Sequence, residues 1–105
     1  MLYEIYVEWH ALLLKFPKAQ RYSLGQTISD ALLAALEAVL AAAATSMSQE
    51  KRDQIAVAST KIDLLKLLIR LAKDCECLTQ KQYQSVESKL YHAGKMLGGW
   101  RKSLG

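Results

Sequence analysis

The chain of 105 residues contains one proline, one phenylalanine, two cysteines and five glycines. With so few turn-forming residues, a strand-and-hairpin architecture has little to build on, and no period-two alternation or hairpin signal is present. Cys75 and Cys77 are two positions apart, which suits a reduced cytoplasmic protein better than a disulfide framework. As metal ligands they lack a second pair, whereas zinc takes four ligands. His10 and His92 have no Ser or Cys arrangement nearby that suggests a nucleophile. Glu87 is followed three residues later by Leu90, so the Glu-x-x-His element of di-metal bundles is missing. No glycine-rich loop is present to cradle phosphate. The expectation is a non-catalytic protein that uses no metal or cofactor.

Targeting signals are also lacking. Glu4 and Glu8 interrupt the N-terminus, and no basic segment precedes an apolar run there. The run Ala31–Ala44 is apolar except for Glu37, and reads as short and alanine-rich for a bilayer span. A cytoplasmic location without membrane association is expected.

What the chain does have is helix-forming residues at helical spacing. Leu2, Ile5, Trp9, Leu12 and Phe16 recur at intervals of 3 and 4, and Pro17 stops the run. A second helix, starting near Ala19 to Ser23, carries Gly25, Ile28, Leu32, Ala35, Val39 and Ala42. After a Thr45–Ser48 loop, with Ser48 as the expected cap, Ile55, Ala58, Ile62, Leu65, Ile69 and Ala72 mark a third. Thr79 and Gln82 form a capping-box pattern before a fourth helix bearing Tyr83, Val86, Leu90, Ala93, Leu97 and Trp100. The predicted fold is all-α, a single domain over 1–105, with an antiparallel up-down-up-down four-helix bundle. Trp9, Trp100 and His10 read as packing or surface residues. Gly25, and Gly94 with Gly98, read as places where another backbone comes close.

Helices two and three have more apolar surface than one bundle needs. Leu33, Leu36 and Leu40, with Leu64, Leu67, Leu68 and Leu71, are therefore candidate oligomer-interface residues.

The net charge is +4, and residues 78–105 carry Lys81, Lys89, Lys95, Arg101 and Lys102 against Glu87. Bundle topology places the first and third connections at one end. Lys15, Lys18, Arg21, Arg70, Lys73 and Lys81 would gather there as a phosphate-facing surface, diluted by Asp74 and Glu76. Lys89, Lys95, Arg101 and Lys102 are secondary basic candidates. Arg70 and Lys73 also complement the C-terminal end of a helix dipole.

Phe-Pro-Lys-Ala-Gln-Arg-Tyr-Ser-Leu-Gly-Gln (16–26) resembles the first helix junction of the accessory variability determinant (Avd) proteins of diversity-generating retroelements. Gln82-Tyr83, the segment 68–74 and Gly-Lys-Met-Leu-Gly-Gly-Trp-Arg-Lys-Ser (94–103) resemble the family's later helices, in the same order. The resemblance implies a homo-oligomeric, pentameric barrel of four-helix bundles. It also implies a reverse transcriptase partner and a basic surface for template RNA or DNA, in support of mutagenic reverse transcription and retrohoming. The bundle is also similar to proteins encoded in intervening sequences of bacterial large-subunit ribosomal RNA. That likeness leaves open a structural, scaffolding oligomer with no nucleic-acid role.

Overall fold

A computed structural model describes residues 2–104; the expected domain span 1–105 includes Met1 and Gly105, which lie outside the described residues. The described residues are helical, without strands, and form α1 (Leu2–Leu13), α2 (Lys18–Arg21), α3 (Leu24–Ala44), α4 (Ser48–Asp74) and α5 (Gln80–Ser103). Four of these are long. The fifth, α2, is a single turn that the spacing merges with α3. The separation has a local cause, because the Ser23 hydroxyl turns back to the carbonyl oxygens of Ala19 (3.3 Å) and Gln20 (3.5 Å). Competition of this kind from a serine side chain interrupts a helix at its weakest point.

The stripes read from the sequence are the core. Ile55, Ala58, Ile62, Leu65, Ile69 and Ala72 of α4 are all buried, as are Val86, Leu90, Ala93 and Leu97 of α5. They join Ile5, Trp9, Phe16, Ile28, Leu32 and Ala35 in one continuous apolar cluster. Each fully buried Ile or Leu contributes about 1.5–3 kcal/mol relative to exposure. Leu12, Val39, Tyr83 and Trp100 of the same stripes are half-buried against this cluster.

α3 and α4 share the most extensive interface, and α5 also packs on α4. α1 packs on α3 and α5, so α1 and α4 occupy diagonal positions. The start of α1 (Leu2, Tyr3) shares an apolar groove with Leu36 and Val39 of α3 and with Met96 and Trp100 of α5. At this end the helix termini close on each other. Lys51 donates to the Ala42 carbonyl (2.8 Å) and Arg52 to the Leu104 carbonyl (2.7 Å). Both satisfy oxygens that a helix C-terminus leaves unpaired.

Two sequence expectations change here. Ser48 opens α4 rather than capping it. Met47 occupies the cap position without a side-chain bond, and Thr45 organises the turn by accepting from the Met47 amide (3.2 Å) and donating to Glu50 (2.7 Å). The apolar stretch is also longer than the Ala31–Ala44 run suggested. Lys18–Ala44 is long and apolar enough to cross a membrane by length and composition. The buried face of α3 in the shared core accounts for the same composition.

Candidate functional site

The connection from α1 to α3 is a tight corner. Pro17 has φ of −53° and starts α2 without a donor of its own, as the first turn of a helix tolerates. Phe16 is buried and meets Trp9 edge to face, with ring centroids 5.2 Å apart and planes at 84°. The Trp9 indole N–H donates to the buried Ser29 hydroxyl at 2.9 Å, so the polar end of this core tryptophan has a partner. Gly25 is favoured by contact rather than by φ. A Cβ there would collide with the terminal methyl of Leu13 and lie 3.3 Å from the Gln20 carbonyl.

The α4–α5 connection lies against this corner. α4 ends in a Schellman arrangement: the Cys77 amide donates to the Ala72 carbonyl (2.8 Å) and the Glu76 amide to the Lys73 carbonyl (2.9 Å). The left-handed residue is Glu76, at φ 63°, where glycine is usual. Cys77 is buried beside Ala72, while Cys75 is exposed. Burial, then the neighbouring Cys75, push the Cys77 thiol above its ordinary pKa, which opposes a nucleophilic role. Thr79 then begins α5 with the full capping box: the Gln82 amide donates to the Thr79 hydroxyl (3.1 Å) and the Thr79 amide to the Gln82 side chain (2.9 Å).

Between the two connections lies an open cleft of about 430 Å³, with Lys15 from the first, Lys73 from the last turn of α4, and Glu76 and Thr79 from the second among its lining residues. The structure thus brings together two lysines that are 58 positions apart in sequence. Lys18 and Lys81 are exposed on the first turns of α2 and α5 and line no part of this cleft. Arg21 departs most from the expected arrangement. Its guanidinium turns inward and donates to the carbonyls of Leu14 (2.9 Å) and Phe16 (3.4 Å), with Nε buried and unpartnered. Its bonds to the end of α1 make it a fastener of the corner.

Arg70 lies in a neighbouring groove of about 560 Å³ between α4 and α5, with Lys66, Tyr83, Glu87 and Tyr91. Hydrogen bonding to Glu87, assisted by burial and the Glu87 charge, raises the Tyr83 phenol above its usual pKa, and Arg70 opposes that shift. The Lys73 ammonium lies 5.1 Å from the Tyr83 ring centre. This interleaving of aromatic rings and cations was not singled out from the sequence. Its signal was the i, i+8 pair Tyr83/Tyr91 opposite Lys66, Arg70 and Lys73 on the preceding helix.

The secondary cations do not form one patch. Lys89 is bound to Glu8 at 2.7 Å, and Ser85 donates to the same carboxylate at 2.7 Å. Burial raises the Glu8 pKa, but the hydrogen bonds from Lys89 and Ser85, with the charge of Lys89, more than offset it and leave the carboxyl below its ordinary value. Lys95 lies 5.3 Å from the Tyr91 ring centre. Arg101 and Lys102 are exposed in the last turn of α5, about 30 Å of helix rise from Lys81.

Of the candidate interface leucines, Leu33 and Leu40 on α3 and Leu64, Leu67 and Leu71 on α4 are exposed. Leu36 and Leu68 are half-buried against the core, so part of their surface is used within the protomer. Val57 extends the α4 stripe: 57, 64 and 71 are seven apart, on the side of the helix away from its core stripe. Tyr3 and Val7 on α1, with Leu14 just beyond its end, form an exposed apolar stripe that sequence reading missed. Gly94 meets only ordinary contacts from Lys66 and Ile62, and Gly98 and Gly99 have no neighbours in reach of a Cβ; the expected close backbone approach is not made within the protomer.

A family model described as bAvd-like matches residues 2–104. No curated protein and no solved structure matches the chain.

Proposed function

The chain belongs to the bAvd-like family, and on that premise we propose that it is a non-catalytic accessory protein of a diversity-generating retroelement. In this reading it binds the element's reverse transcriptase and nucleic acid, and so supports mutagenic reverse transcription and retrohoming. The family match over nearly the whole chain carries the proposal. The cleft joining Lys15 to Lys73, with Arg70 in the next groove, supports a phosphate-facing surface there. The working protein is a cytoplasmic single domain away from membranes, and its partners are the polymerase, template RNA or DNA, and further copies of itself.

The finer architecture belongs to the same proposal. An up-down-up-down antiparallel path is supported by contacts at both ends. Lys15 shares a cleft with the α4–α5 turn, while Leu2 and Tyr3 share a groove with Val39 and Trp100. A homo-oligomeric barrel, a pentamer by family likeness, is supported by exposed apolar stripes on the diagonal helices α1 and α4. Two different apolar faces on opposite sides of a protomer are what a head-to-tail ring requires.

Binding should be salt-dependent, because lysines that neutralise phosphates release counterions. Replacing Lys15 and Lys73 by Glu should weaken binding of a labelled RNA at least tenfold at low salt, and light scattering should give a mass above the monomer. Full retention of binding by the double variant would remove this surface from the proposal. A structural oligomer of the intervening-sequence type is favoured by one observation, the inward turn of Arg21, which thins the basic patch. It predicts assembly without retention on nucleic acid at low salt.

A further inference from the structure

Resting on the nucleic-acid reading above, we infer that the α4–α5 groove takes a single strand in preference to a duplex, with Tyr91 as the platform on which one base stacks and Lys66 and Arg70 as contacts to the flanking phosphates. The groove holds these three residues together with Tyr83 and Glu87. Tyr91 is 53% exposed, so its ring is within reach of a ligand in the groove. Two ammonium groups attend it, Lys66 at 5.8 Å and Lys95 at 5.3 Å from the ring centre. Charge favours a polyanion by a small margin: Lys66, Lys73 and Lys95 lie over the two rings and Arg70 lines the groove, against Glu87 in the groove, Asp74 near Tyr83 and Asp63, which lies 3.8 Å from Lys66.

The division of labour follows from what each form of nucleic acid can offer. A duplex presents phosphates, but its base faces are already stacked on one another. A single strand presents both, and base–aromatic stacking tolerates any sequence because every base has a π-face. In the free protein the lysines lie near the Tyr91 ring as cation–π partners. Phosphates would draw the ammonium groups toward the backbone of the strand and open the ring to a base. Tyr83 is less free, being half-buried against the core. It stands eight residues earlier on the helix, about 12 Å away along the axis, and serves as the second wall of the groove.

The test compares one labelled mixed-sequence oligonucleotide, alone and annealed to its complement, by fluorescence anisotropy at fixed salt. The full chain should bind the single strand more tightly. Tyr91→Leu keeps apolar cover on the exposed position and removes the π-face. It should lower single-strand affinity about tenfold, leave duplex affinity unchanged and keep the salt slope. Tyr91→Trp should retain or exceed the original affinity. Lys66→Gln with Arg70→Gln should instead flatten the salt slope by about one to two. An unchanged single-strand affinity in Tyr91→Leu, or equal binding of strand and duplex by the original chain, overturns the inference and leaves the broader reading standing. Failure of the original chain to bind either form at low salt overturns both.

Discussion

Gly25 and Gly98 are both helical glycines in segments that looked like motifs, and their surroundings are opposite. At Gly25 the missing side chain is replaced by the Leu13 methyl and the Gln20 carbonyl. At Gly98 nothing lies within 4 Å of where a Cβ would be. The first glycine is consumed by the fold of the corner. The second leaves a bare strip of backbone on the last turns of α5, outside any packing within the protomer. The contrast extends to the elements around them. The corner has Phe16, Trp9–Ser29 and Arg21 locking it, and the first half of α5 is tied by its capping box and by Glu8. The second half of α5 keeps one side on the core and leaves Met96, Gly98 and Gly99 exposed.

The largest effect should come from removing the filling of the corner. Phe16→Ala should cost about 3–5 kcal/mol in a urea unfolding experiment, since it empties a fully packed site beside Trp9. A loss below about 1 kcal/mol would mean that the corner is softer than its packing indicates. The glycines themselves give the next test. Gly25→Ala should destabilise by about 1–2 kcal/mol, because overpacking outweighs the gain in helix propensity. Gly98→Ala should stabilise by about 0.5–1 kcal/mol, the gain for an unencumbered helix interior. Equal signs for the two would dissolve the comparison.

The smallest effect concerns the tie to α5. Glu8 has a lowered pKa, so its contribution is present above the unfolded carboxylate value and is lost as pH falls through the folded one. Lys89→Ala should therefore cost up to about 1 kcal/mol at neutral pH and less in acid, as the partly exposed pair allows. A pH-independent loss would assign Lys89 to packing through its aliphatic stem.

The helices were legible because their signal is local. Every residue of the stripe from Ile55 to Ala72 is buried, and the Thr79–Gln82 cap forms both of its bonds. The juxtaposition of Lys15 with Lys73 followed from connection lengths alone. What escaped depended on long-range side-chain geometry. Nothing in the sequence pairs Ser29 with Trp9, twenty residues earlier. Arg21 sits among exposed neighbours, and only the path of the backbone shows that its nearest acceptors are the Leu14 and Phe16 carbonyls. The α1 stripe was overlooked because Tyr3 and Val7 share a short helix with the core residues Leu2, Ile5 and Trp9, and Leu14 follows its end. The ladder of rings and cations spans two helices, so no single-helix pattern reveals it.

The sealing of Trp9 has a spectroscopic consequence. Its indole is fully buried, hydrogen-bonded to Ser29 and flanked by Phe16, whereas Trp100 is half-exposed with the Lys51 ammonium 5.9 Å from its ring centre. Indole emission shifts to longer wavelength as water reorganises around the excited state. The chain therefore carries two built-in dyes of different colour: a blue one that reports the integrity of the corner, and a redder one that reports events at the open end of α5.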